Sequence, residues 1–286
     1  MNELPTPKQR LPALLALALP VFAGLIYLTL AGAPAPYVII NAAAFLIAAL
    51  WIVFGRAPGS DRGRRILVVA LLALCFVPLF TGPFVNSPFV DGPSVDSIAR
   101  WIPLGGFTLH AGSMLFPAIA VLAARDLDFA PPILLTALLA AMAQPDAAFG
   151  FAIVFAAVGL HDQSRDWRDG MVAIVGFFAA LIMAVQGELP PQPFVERVFA
   201  DTVAVSPIGG IALLLALAGG LMAMLHAAPF EARARYALAG SLFGFGIMSI
   251  MSHYPSVLIG YGAAPILGYG LALGLAQHGP AQRTDT

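Results

Sequence analysis

Ten apolar runs, separated by short polar segments, dominate the pattern of the chain. Roughly 20 apolar helical residues span a bilayer, and most of the runs are close to that length. The runs near 110–124, 130–144 and 147–160 are shorter, so a re-entrant pair at 130–160 is an alternative to two full spans. The pattern predicts an all-α polytopic membrane protein with about ten transmembrane helices. The runs lie at about 11–32, 36–54, 66–82, 110–124, 130–144, 147–160, 171–186, 207–226, 236–252 and 257–277.

The composition supports this fold class. Hydrophobic residues make up 60% of the 286 residues and charged residues 10%, with a mean hydropathy of +0.89. A soluble domain has roughly 25% charged residues, so this chain has too little charge to cover a water-facing surface. We expect a single integral membrane domain over 1–286 with a polar tail at 278–286. The single cysteine, Cys75, cannot form an intrachain disulfide, and the sequence contains no zinc, nucleotide or nucleic-acid motif.

The positions of lysine and arginine predict the orientation. Cytoplasmic loops of membrane proteins collect basic residues. If the N-terminus is cytoplasmic, only Arg100 and Arg197 of the 14 basic residues lie outside, which leaves 12 inside. Ten spans then place both termini in the cytoplasm. The same count assigns the loops at about 83–109 and 187–206, and the turns at Asp146 and His253, to the outer face.

Ionisable residues at the predicted outer face are the candidates for chemistry. They are Arg100, His110, Asp146, Glu188, Glu196, Arg197, Asp201 and His253. An ionisable group at a membrane turn indicates a functional site, although Asp146 could instead be the N-cap of the next helix. Asp201 could be a cap, an exposed loop charge or a general base, and His110 an interfacial group. Arg100 and Trp101 could anchor the chain at headgroup level, or the arginine could bind a phosphate.

Two pairs of glycines in the late helices have four-residue spacing. Gly240 and Gly244 form one pair, and Gly270 and Gly274 form the other. This spacing lets two membrane helices approach closely, so the pattern predicts helix packing. A glycine-lined channel or lipid groove is the alternative.

Four segments, in order along nearly the whole chain, resemble one protein family. The segment Arg100-Trp101-Ile102-x-Leu104-Gly105-x-Phe107-x-Leu109 resembles the signature RWI-x-LG-x-F-x-LQPSE, and Gln144-Pro145-Asp146 matches a QPD one span later. The segment 200–205, followed by Ile208-Gly209-Gly210-Ile211, resembles TDFIFAV, and 259–264 resembles ISYGGSS. These are signatures of the shape, elongation, division and sporulation (SEDS) family, of the FtsW and RodA type. Its ten-span topology also fits.

The resemblance implies a function. Active members of the family polymerise lipid II, an undecaprenyl-linked precursor, into glycan on the outer face of the bacterial inner membrane, beside a class B penicillin-binding protein. The family's essential aspartate falls on Asp201, which would act as general base on the acceptor hydroxyl. Arg100, Arg197 or a divalent cation would balance the leaving pyrophosphate. The resemblance further assigns substrate contacts to Trp101, His110 and Asp146, with membrane lipids around the protein and no metal ligands.

The chain also departs from the family pattern. His110-Ala111-Gly112-Ser113 stands where the family has Gln-Pro-Ser-Glu, and Phe116 replaces its lysine. The outer segment before Asp201 is shorter than in typical members, so the chain is a divergent and compact relative. A catalytically degenerate protein that binds a lipid precursor or acts as a scaffold is therefore one alternative, and a precursor flippase or transporter is another. The sequence leaves a role in elongation or division open.

Overall fold

The computed structural model describes residues 7–82, 98–228 and 230–276. Within these residues the protein is helical apart from one antiparallel hairpin and a π-helical turn, Ala223–Ala227. The strands are β1 (Trp101–Leu104) and β2 (Phe107–His110). The helices are α1 (Pro7–Leu30), α2 (Ala35–Phe54), α3 (Asp61–Phe76), α4 (Pro78–Thr81), α5 (Ala111–Ala123), α6 (Ala130–Ala143), α7 (Ala147–Ser164), α8 (Trp167–Gln186), α9 (Val198–Val205), α10 (Pro207–Met222), α11 (Ala232–Met251) and α12 (Ala263–Leu275).

The helices account for the predicted spans. By length and composition, seven described segments could cross a membrane: α1, α2, α3 with α4, α7, α8, α10 with the π-helical turn, and α11. Three shorter apolar helices, α5, α6 and α12, complete the set within the described residues. The all-α multi-pass architecture is therefore confirmed, with about ten apolar helices of unequal length.

Several predicted boundaries were wrong. The run near 147–160 is the first part of an 18-residue helix, because α7 continues through polar residues to Ser164. The last span is shorter than predicted, since residues 257–262 form turns before α12 begins. The outer loops are not plain loops: the hairpin occupies the end of 83–109, and α9 lies inside 187–206. Residues 83–97 and the tail at 278–286 lie outside the described residues.

Helix packing explains both glycine pairs. A side chain at Gly240 or Gly244 would collide with backbone carbonyls of α7, at Phe155 and Phe151. Gly270 and Gly274 lie equally close to Ala48 and Trp51 of α2. Small residues allow membrane helices this approach, so the predicted packing role is confirmed.

Residues predicted to face the cytoplasm contact one another at one end of the bundle. Arg10 at the start of α1 donates to the Ile52 carbonyl at 2.9 Å, near the end of α2. Arg65 pairs with Asp126 at 2.6 Å, and Arg125 donates to the carbonyl of Ala276 at 2.7 Å. The chain therefore has one arginine-rich end, and the candidate residues of the predicted outer face gather at the other.

Candidate functional site at the outer end of the helices

Residues 101–110, which directly follow Arg100, form the antiparallel hairpin. Trp101 pairs with His110, and Leu104 pairs with Phe107, so the turn consists of Gly105 and Gly106. Gly105 has a φ of 62°, which suits glycine in a two-residue turn. The strands bring Arg100 and the first residue of α5 together, because the amide of Ala111 donates to the Arg100 carbonyl at 2.9 Å.

Arg100 joins three outer segments through its buried guanidinium, with only 3% of the residue exposed. It donates to the carbonyls of Gln144, at 3.3 Å, Pro145 and Gly187. The guanidinium also lies 5.1 Å from the centre of the Tyr254 ring, a cation–π distance. Arg100 is therefore not a headgroup-level anchor. It is a clamp that holds the α6–α7 turn against the end of α8.

His110 and Asp146 form a second buried pair. His110 Nε2 lies 3.3 Å from Asp146 Oδ2, and Asp146 has no exposed surface. The other histidine nitrogen, Nδ1, accepts from the amide of Ser113 at 3.3 Å, so His110 caps α5. An acceptor at Nδ1 puts the ring proton on Nε2, facing the carboxylate. Asp146 in turn accepts from the amide of Phe149 at 3.1 Å, which confirms that it caps α7.

The second outer loop lies against the segment between α11 and α12. The backbone amide of Ser256 donates to the Val195 carbonyl at 2.8 Å, and the backbone amide of Tyr261 donates to the Phe194 carbonyl at 2.7 Å. Asn41 of α2 fixes the same segment, since its side chain donates to the carbonyl of Gly260 at 2.9 Å and accepts from the amide of Gly262 at 3.1 Å. Three distant parts of the chain thus meet around one space.

That space is a cavity of about 650 Å³. Its outer lining comes from the hairpin, from residues 189–196 and from residues 255–262, and includes Trp101, His110 and Glu196. Its deeper lining is apolar and comes from α2 and α12, down to Ile47 and Leu267. At 1.5 Å per residue, Ile47 lies about 18 Å along α2 from its outer end. The cavity therefore runs from the polar outer face into the apolar part of the bundle.

The cavity opens sideways along α2 and the hairpin. Ile47 lines it while 58% exposed, and Leu104 and Phe107 line it while 60% and 57% exposed. An apolar side chain that is exposed at the depth of Ile47, well inside a membrane-length helix, suits contact with the hydrocarbon of a bilayer. A molecule with a polar head and a lipid tail could therefore reach the cavity from the membrane.

Solved structures share the fold of this chain. The rod shape determining protein RodA of Thermus thermophilus matches with a TM-score of 0.63 at 18% identity, over 92% of this chain and 94% of that one. An aspartate-to-alanine variant of the same RodA matches with 0.64 at 16% identity and the same coverage. The chain has the RodA fold. A chain of a peptidoglycan synthase complex that coordinates polymerization and crosslinking matches with 0.57 at 18% identity, over 92% and 96%.

No protein-family model matches the chain, and no curated protein matches its sequence. At these identities the similarity concerns the fold. The SEDS resemblance seen in four short motifs is confirmed at that level by a fold that covers nearly the whole chain.

The RodA fold brings some of the predicted site residues together and separates others. Arg100, Trp101, His110 and Asp146 form one cluster, in which Trp101 also meets His110 edge to face at 6.1 Å between ring centres. The first two motifs thus meet in space, and the motif at 259–264 lines the cavity. Of the cluster, Trp101 and His110 reach the cavity, whereas Arg100 and Asp146 lie behind its wall.

Asp201 and Arg197 lie apart from this cluster. Asp201 is on α9, and its carboxylate is 3.5 Å from the Arg197 guanidinium, with both side chains about half exposed. Neither residue lines the cavity. Asp201 therefore does not meet Arg100 and Asp146 around one groove in this structure.

Glu196 was a sequence candidate to which no role was assigned. It is the carboxylate that lines the cavity. Burial raises its pKa to about 7, against smaller lowering effects of backbone hydrogen bonds and of the Arg100 charge. Sequence position alone does not separate it from Glu188 or Asp201, since its place depends on contacts with residues about 60 positions later.

The structure assigns no protein ligands to the expected divalent cation. Among the described residues, no three His, Cys, Asp or Glu side chains lie close enough together to hold a metal.

Proposed function

We propose that the protein binds lipid II, or another undecaprenyl-linked precursor, at the outer face of the bacterial inner membrane and polymerises its sugars as a SEDS-type glycosyltransferase. The observation that carries this proposal is the cavity of the RodA fold. Its polar rim suits a sugar and pyrophosphate head, and its apolar end suits an isoprenoid chain. The exposed side of α2 gives the chain a path from the bilayer.

In this proposal Asp201 is the general base. A sugar hydroxyl is a weak nucleophile until a base within hydrogen-bond reach takes its proton. The acceptor oxygen forms the new bond to the anomeric carbon, the proton passes to the Asp201 carboxylate, and the bond to the pyrophosphate breaks. Asp201 lies on the helix that follows the cavity-lining loop, five residues after Glu196, which supports its presence near a bound head group.

Arg197 is the better placed of the two outer arginines to balance the leaving pyrophosphate. Its guanidinium is exposed and lies next to Asp201, whereas Arg100 is engaged by three carbonyls. Arg100 would then act by positioning the α6–α7 turn behind the cavity wall.

Polymerisation in proteoliposomes tests the proposal. The purified protein is incubated with lipid II, with and without a class B penicillin-binding protein, and glycan length is read on a gel. We expect glycan from the wild type and less than a hundredth of that rate from Asp201→Asn. Asp162→Asn, a change at the opposite end of the bundle, is the control. Full polymerisation by Asp201→Asn would remove the base assignment.

A second function is favoured by two observations. Asp201 does not line the cavity, and the family signature is altered at 110–113. A relative that binds the precursor without joining sugars would tolerate both features. Binding of lipid II by the wild type without glycan, even beside the partner, would support this function over polymerisation.

A further inference from the structure

Three acidic residues lie on the second outer loop or just after it, and they differ in their surroundings. Glu188 pairs with His253 at 3.2 Å and accepts from Ser252 at 2.9 Å. Asp201 pairs with Arg197. Glu196 forms no ion pair within the described part of the chain, although it is the carboxylate on the cavity wall.

A tight turn aims the Glu196 carboxylate. Its Oε2 accepts from the amide of Gln192 at 2.5 Å, while its own amide donates to the Gln192 carbonyl at 3.2 Å. A β-bridge to Pro255 fixes the backbone on the other side, and the next residue but one, Val198, is fully buried. These contacts fix the backbone of the loop at the cavity wall and hold the carboxylate against the Gln192 amide.

The groups around this carboxylate suit a sugar. Trp101 offers an aromatic surface, while Thr108 and Gln192 are polar residues at the same rim. Binding sites typically combine aromatic walls with a few fixed polar groups that orient the ligand. The apolar lining begins below them, at Ile40 and Leu267.

We propose that Glu196 recognises the sugar portion of the lipid-linked substrate, with its carboxylate accepting hydrogen bonds from sugar hydroxyl or amide N–H groups. The inference rests on the proposed function for the presence of such a substrate. It assigns to Glu196 binding and orientation of the head group, and it leaves the proton transfer with Asp201.

The charge of Glu196 gives this contact a pH dependence. Burial brings its pKa to about 7, so the carboxylate is half ionised near neutral pH. Of the titratable and charged groups around it, His110 from the hairpin and Tyr261 from the segment before α12 line the same cavity. Arg100 acts on its charge from behind the wall, and Arg197, the next residue, pairs with Asp201 instead. An ionised carboxylate accepts stronger hydrogen bonds than a protonated one. Sugar binding should therefore strengthen as the pH rises from 6 to 8.

Two ligands with the same lipid chain separate sugar contacts from chain contacts. Binding of lipid II and of undecaprenyl pyrophosphate, which has no sugar, is measured on the full chain in nanodiscs. We expect Glu196→Ala to weaken lipid II binding about tenfold and to change undecaprenyl pyrophosphate binding less than twofold. Glu196→Gln should weaken lipid II binding less than Glu196→Ala does. It should also remove the increase in lipid II binding between pH 6 and 8. Glu188→Gln, on the same loop but off the cavity, is the matched control.

Each outcome decides the inference. Equal lipid II binding by the wild type and both Glu196 variants would overturn it while leaving the proposed function intact. An equal loss of both ligands in the Glu196 variants would also overturn it, because the residue would then only shape the cavity. If the wild type bound neither ligand, the proposed function itself would fail. Should Glu196→Ala not fold, Glu196→Gln with its pH series decides alone.

Discussion

At the scale of single residues, the chemistry of the outer face depends on pairs that are far apart in the sequence. The N-cap role of Asp146 was predictable, because a cap lies next to the helix that it begins. The burial of Arg100 was not, since its acceptors come from the α6–α7 turn and from Gly187. The position of Glu196 on the cavity wall depends in the same way on residues 255–261.

Replacement of Arg100 should destabilise the protein more than replacement of an exposed arginine. Arg100→Lys keeps the charge but cannot reach three carbonyls with one ammonium, so buried acceptors lose their donors. We expect a loss of about 2–3 kcal/mol in the free energy of unfolding, measured by thermal denaturation in detergent. Arg197→Lys, whose ion pair is half exposed, should change stability by less than about 0.5 kcal/mol. Equal effects of the two substitutions would refute the clamp.

Glu196 should make stability depend on pH. Its pKa is near 4.5 when unfolded and about 7 when folded. Between these values the folded state binds a proton that the unfolded state has lost, so stability is full below pH 4.5 and falls as the pH rises to 7. The loss is on the order of 3 kcal/mol.

Glu196→Gln lacks this titration and serves as the reference in the same experiment. The melting temperature of the variant minus that of the wild type should grow from pH 4.5 to 7 and then level off. A constant difference across this range would show that the buried carboxyl does not titrate there.

At the scale of elements, the length of the apolar runs and the spacing of the glycines were sufficient to predict the long helices and their packing, whereas the short elements were not predictable. The hairpin at 101–110 has only four residues in each strand and depends on α5 and α12 for its position. The helix α9 has eight residues and packs on α10. Elements this short are stabilised by their tertiary contacts, and local sequence carries little information about those.

Two glycines of α11, Gly244 and Gly246, differ in how closely they pack against other helices, so one serves as the control for the other. Gly244→Ala places a methyl group against the Phe151 carbonyl of α7, where two backbones meet and neither can yield. Overpacking of this kind costs about 1–3 kcal/mol. Gly246→Ala, two residues later, meets only the Leu217 side chain at 3.7 Å and should be neutral or slightly stabilising. Thermal unfolding of the two variants in detergent checks the difference. Similar melting temperatures would contradict the predicted packing.

At the scale of the whole molecule, the fold was predictable because a membrane restricts the chain to few architectures. Span number, the arginine-rich end and the resemblance all came from local sequence. The cavity did not, since five separate segments line it and its depth depends on how α2 and α12 cross. The order of the motifs could indicate a site at the outer face. It could not distinguish the residues that line the cavity from those that lie behind the cavity wall.

The side opening of the cavity can be tested on one helix. Ile47→Trp puts a large ring in the cavity opening, whereas Ile39→Trp puts the same ring on a 65% exposed position of α2 that does not line the cavity. Both positions face an apolar medium, so stability should change little. We expect Ile47→Trp to reduce lipid II binding at least fivefold and Ile39→Trp to leave it unchanged. Equal binding by the two variants would show that the precursor does not use this opening.

The Arg100 clamp also has a consequence for biosynthesis. Two of its carbonyl partners follow 44 and 45 residues later, and the third follows 87 residues later, after α8. A chain that emerges N-terminus first must therefore insert four further helices, α5 to α8, or leave this arginine partly hydrated at the bilayer edge until Gly187 arrives. Polypeptides cut short before the end of α8 lack the third of these carbonyl acceptors. A residue after α8 is thus needed to complete the hydrogen bonds of an arginine that precedes α5. A molecule in which Arg100 contacts the Gly187 carbonyl has inserted its helices through α8.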